Sequence, residues 1–423
     1  MIRADLAVVG IAELATPDGR SARTGADLDR LRIVKDAAVA CHDGRITFVG
    51  TERDYRREVE LEPGGRVVDA GAATVLPGFV DAHTHLAFAG WRESEFDERL
   101  RGKTYSQIAE RGGGILSTVA STRAVSRETL SELIHERLDA MLALGTTTAE
   151  IKSGYGLCLE DELKQLEAAR FAAVDHPVRV VLTFLGAHTV PPEHRDSRAD
   201  YVDIVALRMI PRVARLGLAR YADVFVDAHA FTLAEARRVL ESAREHGLGL
   251  RVHADQLADD GAARLAAELG AASADHLEFA SDDGLEAMAR SGTCGVLLPA
   301  ATFFLMMERR PPGRRLVEAG IPVVVATDFN PGSCPTESMQ AAMWFATLWG
   351  GLTVDEAITA TTLNAAHSLG LAGETGTLEP GKRADLVVHA VPNRYHLVYR
   401  FGVPRARTVI AGGRVVVEDG QLV

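Results

Sequence analysis

The stretch Pro77-Gly-Phe-Val-Asp-Ala-His-Thr-His-Leu86 is a short apolar run that leads directly into two histidines. In an extended segment, residues i and i+2 point to the same side, so the imidazoles of His83 and His85 can reach one metal ion. Similar short apolar runs recur along the next part of the chain. Together with the first, they end near Ala82, Ile151, Leu185, Val226, Val252, Ala274, Leu298 and Ala326.

Helical patterns separate several of these runs. Ser126 is placed to cap a helix that Gly145 can end, and Thr232-Leu-Ala-Glu235 is a capping box. Short apolar runs that alternate with helices fit buried parallel strands in βα units. Eight such units in roughly 260 residues match a (β/α)₈ barrel of the TIM type. The alternative is an open doubly wound sheet, but no glycine fingerprint follows the first strand.

Both ends of the chain predict short strands instead. Asp43-Gly44 between two apolar runs is a hairpin signal, and the stretches 384–389, 407–411 and 414–418 repeat the theme. We therefore expect a small β-sandwich domain made of residues 1–72 and 373–423, with the barrel over residues 73–372. The alternative is that each end decorates the barrel separately.

Composition excludes several classes of protein. The 423 residues carry a formal charge of -12, which disfavours binding to nucleic acid or to an anionic membrane. The N-terminal stretch has no apolar core typical of a signal peptide, and no run approaches the roughly 20 apolar residues of a membrane span. Four scattered cysteines form no CxxC pair, which fits a reduced compartment. We expect a cytoplasmic protein.

Polar side chains follow almost every apolar run. A single histidine in such a place is more often structural than catalytic, but the same position recurs on strand after strand. In a barrel the carboxyl-terminal ends of the strands share one face, so these groups are expected to form one site. They are Asp81, His83, His85, Glu150, Lys152, Tyr155, His188, Asp227, His229, His253, His276 and Asp328.

The chain resembles the amidohydrolase superfamily in PGFVDAHTHL, in the later His253, His276 and Asp328, and in the stretch 376–385. Within that superfamily it is similar to the imidazolonepropionase family. The segments that carry this narrower likeness are Gly102-Lys-Thr-Tyr105, Gly112-Gly-Gly-Ile-Leu-Ser-Thr118, Ile151-Lys-Ser-Gly-Tyr-Gly156, Leu185-Gly-Ala-His188, Ser273-Ala-Asp-His276 and Thr327-Asp-Phe-Asn-Pro-Gly-Ser333.

The resemblance implies hydrolysis of a cyclic amide, 4-imidazolone-5-propanoate, to N-formimidoyl-L-glutamate in histidine degradation. It implies one metal ion per chain, Zn²⁺ or Fe³⁺, with His83, His85, His253 and Asp328 as ligands. Asp328 or His276 would be the general base, and the sequence leaves that choice open. Lys152 lies near the place where relatives with two metals carry a carbamylated lysine, but it is interpreted as an ordinary surface or site lysine. His229 is interpreted as a structural neighbour of the site.

The same resemblance implies that the substrate contacts Arg92, Tyr155, His188, Gln256, Asn330, Gly332 and Ser333. Arg92 would hold the propanoate, and the backbone amides of the Gly-Ser turn could form an anion nest. Tyr105 is a weaker candidate for substrate contact. Gln256 stands where some members of the family carry a glutamate, so it can orient the ring but cannot carry a proton.

Two alternatives stay open. A nucleobase deaminase or another cyclic amide hydrolase would share the ligand set, although a deaminase usually needs a glutamate near the third histidine, where this chain has Asp255 and Gln256. A metal-free scaffold of the same fold is the non-enzyme alternative, and such a protein is expected to lose ligands. The family resemblance also suggests a homodimer that takes a small-molecule substrate.

Overall fold

A computed structural model of the chain describes residues 1–103, 107, 113–228 and 230–423. Tyr105 and His229, which the sequence singled out, lie outside these described residues. So do parts of two family motifs, residues 104–105 and residue 112.

The strands, in chain order, are β1 (Ile2–Thr16), β2 (Arg32–His42), β3 (Arg45–Thr51), β4 (Val59–Pro77), β5 (Phe79–Asp81), β6 (Thr146–Lys152), β7 (Arg179–Ala187), β8 (Tyr221–Phe225), β9 (Gly249–Ala254), β10 (Ser273–His276), β11 (Cys294–Leu297), β12 (Val323–Val325), β13 (Leu386–His389), β14 (Ala406–Ala411), β15 (Arg414–Glu418) and β16 (Gln421–Leu422).

The α-helices of the described residues are α1 (Glu52–Glu58), α2 (Glu93–Leu100), α3 (Ile115–Ala124), α4 (Arg127–Ala143), α5 (Leu159–Ala172), α6 (Arg198–Ile204), α7 (Ile210–Arg215), α8 (Leu233–Glu245), α9 (Ala262–Leu269), α10 (Asp282–Ser291), α11 (Pro299–Phe304), α12 (Gly313–Glu318), α13 (Met339–Leu348), α14 (Val354–Ala360), α15 (Leu363–Ser368) and α16 (His396–Tyr399). Short 3-10 turns lie at Gly25–Asp29 and Pro192–His194, and a π turn at Val205–Met209.

Strands β5 to β12 form one parallel sheet in chain order, with helices between successive strands. A parallel bridge between Thr84 and Phe329, just beyond β5 and β12, joins the first strand to the last. The predicted (β/α)₈ barrel is therefore confirmed, and each predicted run ends within two residues of an observed strand end. The agreement has a simple cause, because strands buried on both faces must be short, apolar and continuous.

The residues predicted to begin and end helices also do so in the structure. The Ser126 hydroxyl accepts a hydrogen bond from the Thr129 amide at 3.1 Å and begins α4, and Gly145 follows the helix with a φ of 96°. Thr232 and Glu235 form the predicted capping box at the start of α8. These caps set where each helix begins, and so where the preceding loop reaches the barrel mouth.

The two chain ends meet in a second sheet of eight strands, in the order β16-β15-β14-β13-β4-β1-β2-β3. β13 pairs antiparallel with β4, which confirms the shared β domain over two separate decorations. Asp43 and Gly44 have φ of 49° and 74° and turn β2 into β3, as the hairpin signal predicts. The domain limits at residues 72/73 and 372/373 stay a prediction.

Within the described part of the chain, every helix is too short or too polar to cross a bilayer.

Candidate active site and metal centre

Three imidazoles and one carboxylate meet at the carboxyl-terminal mouth of the barrel. Nε2 of His85 lies 3.2 Å from Nε2 of His83 and 3.2 Å from Nε2 of His253. A carboxylate oxygen of Asp328 lies 3.6 Å from Nε2 of His83 and 3.5 Å from Nε2 of His85. Tetrahedral zinc with bonds of about 2.0–2.1 Å to nitrogen keeps its ligand atoms about 3.3 Å apart. The measured pairs among the four predicted ligands therefore have separations that suit one metal ion, and His83, His253 and His276 form a second group of three potential ligands.

The far nitrogens of two of these rings face carboxylates. Nδ1 of His83 lies 2.6 Å from Oδ2 of Asp275, and Nδ1 of His253 lies 3.0 Å from Oδ2 of Asp223, the second contact being too bent for an ideal hydrogen bond. A carboxylate beside Nδ1 keeps the proton on that nitrogen and leaves Nε2 with a free lone pair. The lone pair on Nε2 of His83 faces Nε2 of His85 at 3.2 Å, within the ligand cluster.

Burial keeps the His83 and His85 rings neutral. It lowers the pKa of His83 well below its ordinary value, and the positive charge of Lys152 adds to the effect. Burial and the neighbouring His188 lower the pKa of His85 in the same direction. Neutral imidazole is the form that binds a metal, so no proton has to be removed from these rings at neutral pH.

A group of buried charges lies below the ligands. Lys152 is fully buried, and its Nζ lies 2.8 Å from Oε1 of Glu150 and 2.8 Å from Oδ2 of Asp223. Arg251 is also fully buried and lies 3.4 Å from Glu150 and 3.7 Å from Asp275. Lys152 is thus a buried site lysine rather than a surface one, because a charge without access to water must be held by a built set of partners.

His276 and Asp328 lie beside the ligand cluster on unusual backbone. The His276 ring centroid is 5.4 Å from that of His253 and 5.8 Å from that of His83. His276, Leu277 and Asp328 have φ of 81°, 74° and 59°, a region that side chains other than glycine seldom adopt. Such strain is typical of functional sites, where the surrounding structure enforces it. Burial lowers the pKa of His276 well below its ordinary value, so this ring is neutral.

Glu278 is a buried acid next to His276 that sequence reasoning missed. Its Oε1 accepts a hydrogen bond from the Thr302 hydroxyl at 2.6 Å, and its Oε2 lies 4.0 Å from Nδ1 of His276. Burial raises its pKa from 4.5 to about 7. Between these two pH values the unfolded chain has lost a proton that the folded chain keeps, so this group makes the free energy of unfolding fall as pH rises.

Replacing Glu278 with glutamine is therefore expected to remove that fall. Glutamine keeps an oxygen for Thr302 but has no proton to lose, so the variant should equal the parent near pH 4 and exceed it by about 3 kcal/mol at pH 8. Urea unfolding at the two pH values measures the difference. The matched control is Glu286→Gln on the exposed face of α10, which should follow the parent at both pH values. A Glu278→Gln variant with the parent's pH dependence would contradict the prediction.

Tyr155 and His188, two of the predicted substrate contacts, lie beside the His85 ring of the cluster. The His188 ring stacks on His85 with centroids 5.1 Å apart, and the Tyr155 ring lies 5.4 Å from His188. Nδ1 of His188 donates to the Gly154 carbonyl at 3.0 Å, and burial lowers the pKa of the ring to about 3. His188 therefore presents Nε2 as a hydrogen-bond acceptor.

The loop that carries Tyr155 is held by one carboxylate. Glu162 of α5 accepts hydrogen bonds from the amides of Gly154, Gly156 and Leu157 at 3.1, 2.9 and 2.8 Å. The position of the tyrosine is thus set by backbone contacts as well as by packing.

A second group of predicted residues gathers around the turn 330–333. Arg92 leaves no room for a Cβ at Gly332, and Nη2 of Arg99 lies 3.3 Å from the Gly332 carbonyl oxygen. The Asn330 side-chain oxygen accepts the amides of Gly332 and Ser333 at 2.8 and 2.7 Å. The expectation of a free anion nest is wrong for these two amides, because Asn330 already occupies them. The arginines are the charged groups at this turn.

Arg92 itself is mostly buried, with 14% of its side chain exposed, and it pairs with Glu95 at 2.8 Å. Arg92 is therefore not an exposed surface arginine, which was the other interpretation of the charged stretch of sequence around it. Glu95 holds the guanidinium in place at the start of α2, with the turn 330–333 beside it.

Gln256 is half-buried just beyond β9. Its neighbour Asp255 accepts hydrogen bonds from the amides of Asp260, Ala262 and Ala263 at 3.0, 3.0 and 2.9 Å. Asp255 therefore anchors the start of α9 and is not free to shuttle a proton. This observation weakens the deaminase alternative.

Sequence reasoning also passed over Asp223, Asp275 and Arg251. All three are fully buried members of barrel strands that interrupt apolar runs. A charged residue inside an otherwise apolar buried strand must have a partner, and that interruption was the available signal.

Comparison with known proteins agrees with this geometry. The amidohydrolase family model matches residues 74–416. An imidazolonepropionase of Symbiobacterium thermophilum is 49% identical over 419 residues, covering 99% of this chain and 98% of the relative. An imidazolonepropionase of Geobacillus kaustophilus is 49% identical over 393 residues, covering 93% of this chain and 92% of the relative.

The architecture also matches solved structures. An adenosine deaminase from Xanthomonas campestris with bound zinc superimposes with a TM-score of 0.75, covering 100% of this chain and 95% of that one. At 18% identity this match shows the shared fold alone. The family model, the near-complete coverage at 49% identity and the assembled histidines lead to one conclusion. The chain belongs to the imidazolonepropionase family of the amidohydrolases.

Proposed function

We propose that this chain hydrolyses the ring amide of 4-imidazolone-5-propanoate and releases N-formimidoyl-L-glutamate, a step of histidine degradation. The observation that carries the proposal is the set of His83, His85, His253 and Asp328, in which Nε2 of His85 lies 3.2 Å from Nε2 of His83, 3.2 Å from Nε2 of His253 and 3.5 Å from Asp328. Relatives that are 49% identical over nearly the whole chain bear the name of this activity and support the choice of substrate.

One zinc or iron ion per chain would be held by these four residues, because imidazole and carboxylate ligands suit both metals. A metal ion in such a site supplies Lewis-acid activation of water and of the ring carbonyl. The residues present fit it, since the His83 and His85 rings are neutral and the Asp275 and Asp223 carboxylates orient two of the ligand rings.

The reaction needs a group that accepts a proton from water and a group that returns it to the leaving nitrogen. Asp328 lies in the cluster and His276 beside it, so one of these two residues would take the proton. Water adds to the ring carbonyl carbon, the C–N bond then breaks, and the nitrogen leaves with the proton. The carbonyl carbon becomes a carboxylate.

Orientation of the substrate would fall to the remaining residues. Arg92 pairs with the propanoate, and Tyr155 and His188 contact the imidazolone ring beside His85. Gln256 would orient the ring by hydrogen bonds. The turn 330–333 would supply the last contacts through Asn330, Gly332 and Ser333, and the amides of Gly332 and Ser333 would have to release the Asn330 side chain to do so.

Removal of metal is expected to abolish turnover. Purified chain should carry one metal ion, consume imidazolone propanoate as followed by its absorbance, lose activity after chelation and regain it when zinc or iron is added back. The metal that restores more activity per bound ion is the better candidate for the native one.

The outcomes separate the alternatives. Stoichiometric metal without loss of absorbance would keep an amidohydrolase but reject this substrate, and cyclic ureides and nucleobases would be tested next. Chain that purifies without metal and cannot be loaded would contradict the metal centre and favour a scaffold.

A homodimer is proposed as the solution state. The described surface has an apolar groove lined by residues from α2, α11, α13 and the C-terminal region, with Leu100, Phe303, Leu348 and Phe401 between 56% and 68% exposed. Large exposed apolar patches mark interaction sites. Light scattering should give twice the 45.4 kDa chain mass, and Leu348→Asp should reduce the measured mass to that of the monomer.

A cytoplasmic location, with no nucleic-acid or membrane partner, remains part of the proposal. So does the division into one domain of residues 1–72 with 373–423 and a second of residues 73–372.

A further inference from the structure

The ammonium of Lys152 sits between the carboxylates that face the metal ligands. Lys152 ends β6, points into the barrel interior and has no exposed surface. Its Nζ lies 2.8 Å from Oδ2 of Asp223 and 3.8 Å from Oδ2 of Asp275. Three different strands, β6, β8 and β10, therefore meet at one positive charge.

The same oxygen atoms that contact Lys152 also face the histidines. Oδ2 of Asp223 lies 3.0 Å from Nδ1 of His253, and Oδ2 of Asp275 lies 2.6 Å from Nδ1 of His83. Oδ2 of Asp223 is shared between the Lys152 ammonium and the His253 ring, whereas Oδ2 of Asp275 also lies 3.7 Å from Nη2 of Arg251. A displacement of either carboxylate would change the direction of a ring whose other nitrogen belongs to the proposed metal site.

We propose that Lys152 is a positioning residue for the metal centre, which fixes Asp223 and Asp275 and through them the rings of His253 and His83. The inference rests on the metal site of the proposed function. Among the ion pairs of the described residues, Nζ of Lys152 contacts Glu150, Asp223 and Asp275 and none of the four proposed ligands.

The two buried cations, Lys152 and Arg251, contact different sets of carboxylates. Arg251 contacts Glu150 and Asp275, and its guanidinium also donates to the carbonyls of Ala82 and Ser368 at 2.8 and 3.2 Å. Among the ion pairs of the described residues, Asp223 has Lys152 and His253 as partners, and Arg251 is not one of them. Loss of Lys152 should therefore affect Asp223, and so His253, more than it affects His83.

A role in metal positioning must be separated from a role in folding. Lys152→Met leaves an excess of buried negative charge and can destabilise the chain for that reason alone. The double variant Glu150→Gln/Lys152→Met removes one charge of each sign, and Glu150 faces no ligand histidine. The double variant restores the charge balance while Asp223 still lacks its ammonium.

The test is the affinity for Zn²⁺, measured on apo-chain by competition with a chromophoric chelator, together with urea unfolding of the same samples. Lys152→Met is expected to weaken zinc binding by about 10- to 100-fold, the range seen when groups that orient ligands are removed. Glu150→Gln/Lys152→Met should recover stability and still bind zinc at least about 10-fold more weakly than the parent.

A second comparison uses the variant Asp223→Asn. Because Lys152 acts through Asp223, Lys152→Met/Asp223→Asn should bind zinc about as weakly as Asp223→Asn alone, so the two losses should not multiply. Recovery of zinc affinity together with stability in Glu150→Gln/Lys152→Met, or losses that multiply in the second pair, would overturn the inference. If the parent itself binds no zinc, the proposed metal site fails first, so the two failures are distinguishable.

Discussion

Asp328→Asn is expected to lower kcat by about 10²- to 10⁴-fold while the fold and the bound metal are retained. Asparagine has the same shape and one side-chain oxygen for a metal, and it tolerates the φ of 59° that Asp328 adopts. It cannot accept a proton. If Asp328 takes the proton from water, the loss falls on kcat, while KM and metal content stay near those of the parent.

Asp328→Ala is the matched control, because it removes the ligand oxygen as well as the proton acceptor. The metal content of Asp328→Ala should fall, whereas that of Asp328→Asn should not. Inductively coupled plasma analysis of both variants, with steady-state kinetics, makes the comparison. An Asp328→Asn variant that keeps more than a tenth of the parent's kcat would place the general base elsewhere, with His276 as the next candidate.

Arg251→Met is expected to lower the free energy of unfolding by about 3–5 kcal/mol, the cost of leaving a buried charge without its partner. The guanidinium is fully buried, lies 3.4 Å from Glu150 and 3.7 Å from Asp275, and donates to the Ala82 carbonyl at 2.8 Å. Methionine fills part of the volume but leaves these oxygens unpaired. Urea unfolding at neutral pH measures the loss.

An exposed arginine provides the comparison for this measurement. Arg264 pairs with Glu268 at 3.0 Å on the surface of α9, with 60% of its side chain exposed. Arg264→Met should change stability by no more than about 0.5 kcal/mol, because water and salt screen such pairs. Similar losses in both variants would mean that the buried charges contribute no more than surface charges do.

Much of the barrel could be predicted from sequence alone. Each barrel strand is short and apolar because both of its faces are covered, and this shows directly in the chain as a run that ends in a polar residue. His83 and His85 share a face through the two-residue period of an extended segment, which needs no knowledge of the rest of the fold. His253, His276 and Asp328 could be added because parallel barrel strands end on one face.

The buried charges could not be assigned in this way. Lys152 follows an apolar run just as a surface lysine could, and its partners Asp223 and Asp275 lie 71 and 123 positions further along the chain. Only closure of the barrel brings β6, β8 and β10 close enough for one ammonium to contact both carboxylates. The turn 330–333 was misjudged for a related reason, since the amides that a nest would offer are taken by the Asn330 side chain.

The sequence by itself determined the barrel and the shared β domain, because both follow from periodicity and from the order of strands, and its resemblance to the amidohydrolases supplied the set of candidate ligands. The tertiary structure decided which carboxylate faces which histidine, which lysine is buried and which backbone amides are free. These properties depend on distances between side chains from strands far apart in the chain, and in a low-dielectric interior a change of one or two ångströms decides whether a charge is paired.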